Sequence, residues 1–208
     1  MANDKSANID TYLSHSKNII NLNHIVNPKR GITMIDLIDK NEKEKVVNIK
    51  VIFLDVDGVL NCQDTEETCG DYIGIDETKV TLLKQIIDAT GAIIILISSW
   101  KEGWTSNPNF KITQDELATY LDEKLRKQGL VIKGKTFDGN SDMRGIGIIR
   151  FINKQKEIGI NIDKYIILDD EMFDYLEVDI ARHLIKTSFC GNGLELEHVK
   201  RAIEALAD

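Results

Sequence analysis

The 208 residues carry a formal net charge of −8, with 42% hydrophobic and 29% charged side chains, the balance of a soluble globular chain long enough for a substantial core. The acidic total argues against a general nucleic-acid binder, although a local basic rim would not show in it. Three cysteines (Cys62, Cys69, Cys190) and four scattered histidines form no C-x-x-C and no zinc-ligand spacing.

Residues 1–48 differ from the rest: they are rich in asparagine, with short apolar clusters at Ile19–Val26 and Met34–Ile38 and a charged stretch from Asp39 to Lys45. They read as an N-terminal appendage with a short helix near Thr33–Lys43, and residues 49–208 as the main domain. The opening MANDKSANIDTYLSH lacks the basic-then-apolar order of a secretion signal. The longest aliphatic run, Ala92–Ile97, is too short to span a bilayer. The expected setting is the reducing cytoplasm, with no membrane partner.

From Lys50 onward, strand and helix patterns alternate. Val51–Asp55 reads as a strand. Asp76–Ala89 reads as a helix with Val80, Leu83, Ile86 and Ile87 on one side and Gly91 ending it. Ala92–Ser98 is too uniformly apolar for a half-exposed strand and belongs inside a parallel sheet. Thr113–Gln128 reads as a helix opened by the capping box T-Q-D-E and closed by Gly129. Leu130–Lys133 is a short strand, and Arg144–Ile158 a helix ended by Gly159. Tyr165–Asp169 and His183–Thr187 are strands, and Leu194–Leu206 is an amphipathic closing helix. This alternation predicts a three-layer α/β domain of Rossmann-like form with a mostly parallel central sheet.

Three of these strands end in polar residues: Asp55-x-Asp57, Ser98-Ser99 and Asp169-Asp170. Parallel strands present their carboxyl ends on one edge, where ligand sites of open α/β sheets lie. Four aspartates crowded there repel one another and lose solvation, which a hard divalent cation in an all-oxygen shell would offset. Each piece has a plainer reading. DVDG is also a turn sequence, serines commonly follow strands, and an Asp pair also caps helices. A calcium loop of the EF-hand type fails, because Val59 and Leu60 stand where it needs an oxygen ligand and a glycine.

VIFLDVDGVLN (Val51–Asn61) resembles the first motif of the haloacid dehalogenase (HAD) superfamily, ILISSW the second, and YIILDDE the acidic fourth. The resemblance is closer still to the HAD phosphatase-like domains associated with RNA-repair proteins. Those run DVDGVLN, SSSW, an Arg-Gly opening a helix, ILDD, then a late Lys-Thr and Gly-Leu. Here the matching residues are DVDGVLN, SSWK, Arg144-Gly145, ILDD, Lys186-Thr187 and Gly193-Leu194. The resemblance covers roughly Ile49–Leu206.

It implies a phosphatase. Asp55 would be the nucleophile that forms an aspartyl-phosphate, and Asp57 the general acid and base. Family ATPases carry threonine at the position of Asp57, and the dehalogenases lack the second aspartate. Mg²⁺ would be held by Asp55, Asp57 (through its backbone carbonyl), Asp169 and Asp170. Ser98 would bind a phosphoryl oxygen, with Ser99 as the alternative, and Lys101 would touch substrate. The third motif usually supplies a lysine. Arg144 stands at the matching helix start, with Lys133 and Lys135 as competitors. Trp100 and Trp104 would stack on a base or shield the crevice, and Asp174 would support the acidic pair or be an exposed helix carboxylate. Residues 62–77 leave room for a small flap and for no large cap domain. The expected substrate is therefore a small phosphomonoester or a phosphorylated nucleic-acid end.

Overall fold

The computed structural model describes residues 46–107, 109, 115–137 and 143–208. The expected helix near Thr33–Lys43, and Thr113 and Gln114 of the expected capping box, lie outside the described residues.

Five parallel strands form the sheet: β1 (Val47–Leu54), β4 (Ile93–Leu96), β5 (Ile132–Lys135), β6 (Ile160–Asp169) and β7 (Leu184–Lys186), in the order β5-β4-β1-β6-β7. Side chains alternate across β1. Ile52 and Leu54 enter a core shared with α1 (Glu77–Thr90), α2 (Glu116–Lys127) and α4 (Leu196–Leu206). Val51 and Phe53 enter a second core with α3 (Arg144–Glu157). Helices on both faces leave no solvated side, which is why the strands read as unbroken apolar runs rather than as alternating ones. Phe53 meets Phe151 edge-on, with ring centroids 5.9 Å apart. Among the described residues, no helix is long and apolar enough to cross a membrane.

The chain runs outward from β1 through β4 to β5, then returns to β1's other side for β6 and β7. The order reverses at β1, so the crevice beyond its carboxyl end is the place where an open α/β sheet binds ligands.

Several boundaries differ from the sequence expectation, each for a local reason. β1 starts at Val47, two residues before the expected domain boundary, and β6 starts at Ile160; their first halves pair with each other, Val47 opposite Ile160. The polar residues Asn48, Asn161 and Asp163 hid that pairing. α2 opens on Asp115, whose side chain accepts from the Ala118 amide at 2.8 Å. β5 begins at Ile132 rather than Leu130, because the Leu130 amide still donates to Leu125 O and closes the helix.

A hairpin not anticipated as strands, β2 (Thr68–Cys69) and β3 (Tyr72–Ile73), fills the flap region. It is tied to α2 by Tyr120, whose hydroxyl donates to Glu67 at 3.0 Å and accepts from the Ile75 amide at 3.0 Å. Lys124 adds ion pairs to Glu67 and to Glu77.

Candidate active site

Asp55 follows β1 directly. Its amide donates to Leu168 O at 2.9 Å, which continues the β1–β6 ladder and sets it beside Asp169, the last residue of β6. Both aspartates are buried, at 2% and 0% exposure. The Arg144 guanidinium lies between them, with one nitrogen 2.7 Å from Asp55 Oδ2 and 2.8 Å from Asp169 Oδ2. Asp169 also accepts from the Tyr175 hydroxyl at 2.6 Å and from the Glu171 amide at 3.0 Å. Asp55 Oδ1 is buried without a hydrogen-bond partner.

Asp170 completes a group with Asp55 and Asp169 in which one oxygen of each lies within 4.8 Å of the others. Three carboxylates thus lie together, and Arg144 pairs with two of them, Asp55 and Asp169. Burial, and then the charge of Asp169, push the Asp55 carboxyl up to about 6, against the pull of Arg144. Burial raises Asp169, and burial followed by the charge of Asp55 raises Asp170. Burial disfavours the Arg144 cation, but the charges of Asp55 and Asp169 outweigh it and hold the side chain protonated. A buried orphan oxygen and three carboxylates all strained against ionisation fit a hard, oxygen-seeking cation such as Mg²⁺.

Local sequence explains how these groups are held. Gly58 has φ +73°, and a Cβ there would fall 2.4 Å from Asp170 Cγ, so the DVDG turn leaves room for Asp170 only with glycine. Gly58→Ala is expected to cost about 1–3 kcal/mol from backbone conformation alone, read as a lower Tm, and to displace Asp170. Thr187 closes the same turn: its hydroxyl donates to Gly58 O at 2.6 Å and its amide to Asp169 O at 3.0 Å.

Arg144 is the first residue of α3, whose N-cap residue Met143 contributes no side-chain hydrogen bond. Asp174 does this from outside the helix, accepting from the Gly145 amide at 2.6 Å and the Ile146 amide at 2.9 Å. A Cβ on Gly145 would meet Val178 at 2.8 Å and Asp174 Oδ1 at 3.0 Å, so the Arg-Gly pair brings α3 close to this cap. Phe173 covers the guanidinium, its ring centroid 4.1 Å from Arg144 Cζ, and holds a φ of 40° unusual for a bulky residue.

The remaining predicted residues make other contacts. The Asp57 carboxylate is not in the three-acid group: Oδ1 accepts from Asn61 Nδ2 and Oδ2 from Trp100 Nε1, each at 2.9 Å. Ser98 is buried at the end of β4 and caps the turn Ser99–Lys101, accepting from the Trp100 amide at 3.4 Å, while Ser99 is exposed. Lys101 is buried, its Nζ donating to Ile97 O at 2.8 Å. Lys135 reaches the Lys101 carbonyl at 2.6 Å, and Lys133 lines an apolar groove with Ile93, Ile94 and Leu130. Of the three basic candidates, it is Arg144 that meets the carboxylates. Tyr175, Phe173 and the capping action of Asp174 had no legible signal in the sequence, because all three depend on a turn that folds back over α3.

No curated protein matches the chain. Among solved structures it is similar to a crystal structure from Mesorhizobium loti described as a HAD-like phosphatase, at 13% identity and a TM-score of 0.46, over 79% of this chain and 90% of that one. Residues 51–199 match the HAD domain in Swiss Army Knife RNA repair proteins. That span holds every strand-end acid described above, and the chain belongs to this HAD domain family.

Proposed function

We propose that the chain is a Mg²⁺-dependent phosphatase that hydrolyses a phosphomonoester through an aspartyl-phosphate on Asp55. The observation that carries this reading is the pairing at Asp55: one oxygen held by Arg144, the other buried and unpartnered, with Asp169 and Asp170 alongside. A carboxylate fixed through one oxygen, with the lone pairs of the other engaged in no hydrogen bond, suits in-line attack on phosphorus. Its electron pair forms the new O–P bond as the ester oxygen departs, taking a proton from Asp57. Asp57 then accepts a proton from the water that cleaves the acyl phosphate and regenerates Asp55. Arg144 and the Ser98 hydroxyl bind the phosphoryl oxygens, with the exposed Ser99 at the rim and the buried Lys101 adding positive charge for substrate binding. Mg²⁺ held by Asp55, Asp169, Asp170 and the Asp57 carbonyl would shield the dianion from the carboxylates.

Between β1 and α1 there is only the β2–β3 hairpin, so among the described residues no large cap is inserted there, which suits a bulky phosphate. Together with the RNA-repair setting of the family, that favours a phosphorylated nucleic-acid end or nucleotide as substrate. The catalytic domain begins with β1 at Val47 rather than at residue 49, and the residues before it act as its appendage, in the cytoplasm. The test is phosphate release from a panel of 5′- and 3′-phosphorylated oligonucleotides, mononucleotides, sugar phosphates and phosphopeptides. Turnover that needs Mg²⁺ and stops with EDTA supports the reading. Binding of an oligonucleotide end without turnover of any substrate replaces it with a non-catalytic binding module.

A further inference from the structure

We propose that Trp100 and Asn61 are positioning residues that clamp the Asp57 carboxylate toward the leaving group, a role that rests on the phosphatase reading above. Each carboxylate oxygen takes one N–H: the Trp100 indole on Oδ2 and the Asn61 amide on Oδ1, both at 2.9 Å. An indole N–H and an amide NH₂ only donate. Each therefore occupies one lone pair of its oxygen and leaves the other open for the proton in transit.

Both clamping groups are themselves fixed. Asn61 is fully buried, and its Oδ1 accepts from the Gly58 amide at 2.9 Å. That bond dictates which face of the amide turns to Asp57. Trp100 is 4% exposed, at the turn capped by Ser98 and tilted against Tyr120 at 6.5 Å between centroids. Asp57 itself is only half-buried. Its side chain has more than one staggered position open to it, and the two donors select one. The indole therefore reads as neither stacking platform nor mere shield.

The molecule contains its own control. Trp104 donates through its indole to Asp122 Oδ1, also at 2.9 Å and also buried, on the side of α2. Trp→Phe at the two positions removes bonds of equal length, one at the proposed proton donor and one away from it.

The experiment compares kcat/KM of wild type, Trp100→Phe and Trp104→Phe on p-nitrophenyl phosphate and on a simple alkyl phosphate. This constant is read through the first irreversible step, loss of the leaving group, so the later water attack does not enter. A nitrophenolate leaves with little help, whereas an alkoxide needs a placed proton. Trp100→Phe is expected to lose about tenfold or more on the alkyl ester, part of the ~10²–10⁴ that general acid catalysis supplies, and far less on the aryl ester. Trp104→Phe is expected to show no such bias. Asn61→Ser, which strips the donor from Oδ1, is expected to bias the two esters in the same direction and reads the clamp independently if Trp100→Phe does not fold. Equal losses on both esters for the Trp100 and Asn61 variants overturn the clamp and leave the phosphatase standing. A wild type inert toward both esters and the wider panel overturns the phosphatase reading and the clamp with it.

Discussion

Asp55→Asn is expected to abolish phosphate release, by at least about 10⁴-fold, and at the same time to raise the Tm of the metal-free protein. The two effects have one cause. The Asp55 carboxyl is buried beside Asp169 and pushed up to about 6, so at neutral pH the folded chain carries a charge it would hold more cheaply unfolded. The isosteric amide removes that charge and keeps the shape, although Arg144 loses one of its two anionic partners. A residue kept for packing behaves the other way, since its removal lowers stability. Measuring phosphate release and thermal unfolding on the same sample separates the cases. Retained turnover in Asp55→Asn ends the covalent mechanism. A large fall in Tm assigns the aspartate a structural role.

Addition of Mg²⁺ to the EDTA-treated protein is expected to raise the Tm at pH 7.5 and to raise it clearly less at pH 5. At a hundredfold excess over its dissociation constant, a ligand specific to the folded state contributes about 2.7 kcal/mol, or about 5–10 °C for a domain of this size. The sign of the pH effect follows from the direction of the shifts. Asp55, Asp169 and Asp170 all have folded-state values above the ordinary carboxylate value of 3.8. Their folded forms therefore bind more protons than their unfolded forms. For Asp55 the resulting cost is fully present above about pH 6, fades as pH falls toward 3.8, and is gone below it. At pH 7.5 a cation relieves that cost. At pH 5 protons already do so and compete with it. Asp170→Asn is expected to blunt the Mg²⁺ shift without touching Arg144. A Tm unmoved by millimolar Mg²⁺ at pH 7.5 removes the metal from this account.

The sequence carried the layered α/β plan, because a strand buried on both faces leaves a run such as AIIILIS and a helix over a sheet leaves a 3.6-residue stripe. Both are local patterns that survive without coordinates. It also carried the polar strand ends, two of which bring Asp55, Asp169 and Asp170 together, since parallel strands bring their carboxyl ends to one edge by topology alone. Tertiary structure decided what those side chains do. The sequence left Arg144, Lys133 and Lys135 in competition, and only the return of the chain across β1 placed the guanidinium between Asp55 and Asp169. Asp174 looked like a neighbour of the acidic pair, yet it caps α3 because a turn 29 residues further along folds over that helix. Trp100 read as a stacking surface or a shield, and its N–H found an acceptor 43 residues away. Hydrogen bonds of that span leave no periodicity in a chain, since they depend on where a loop lands rather than on which residues precede it.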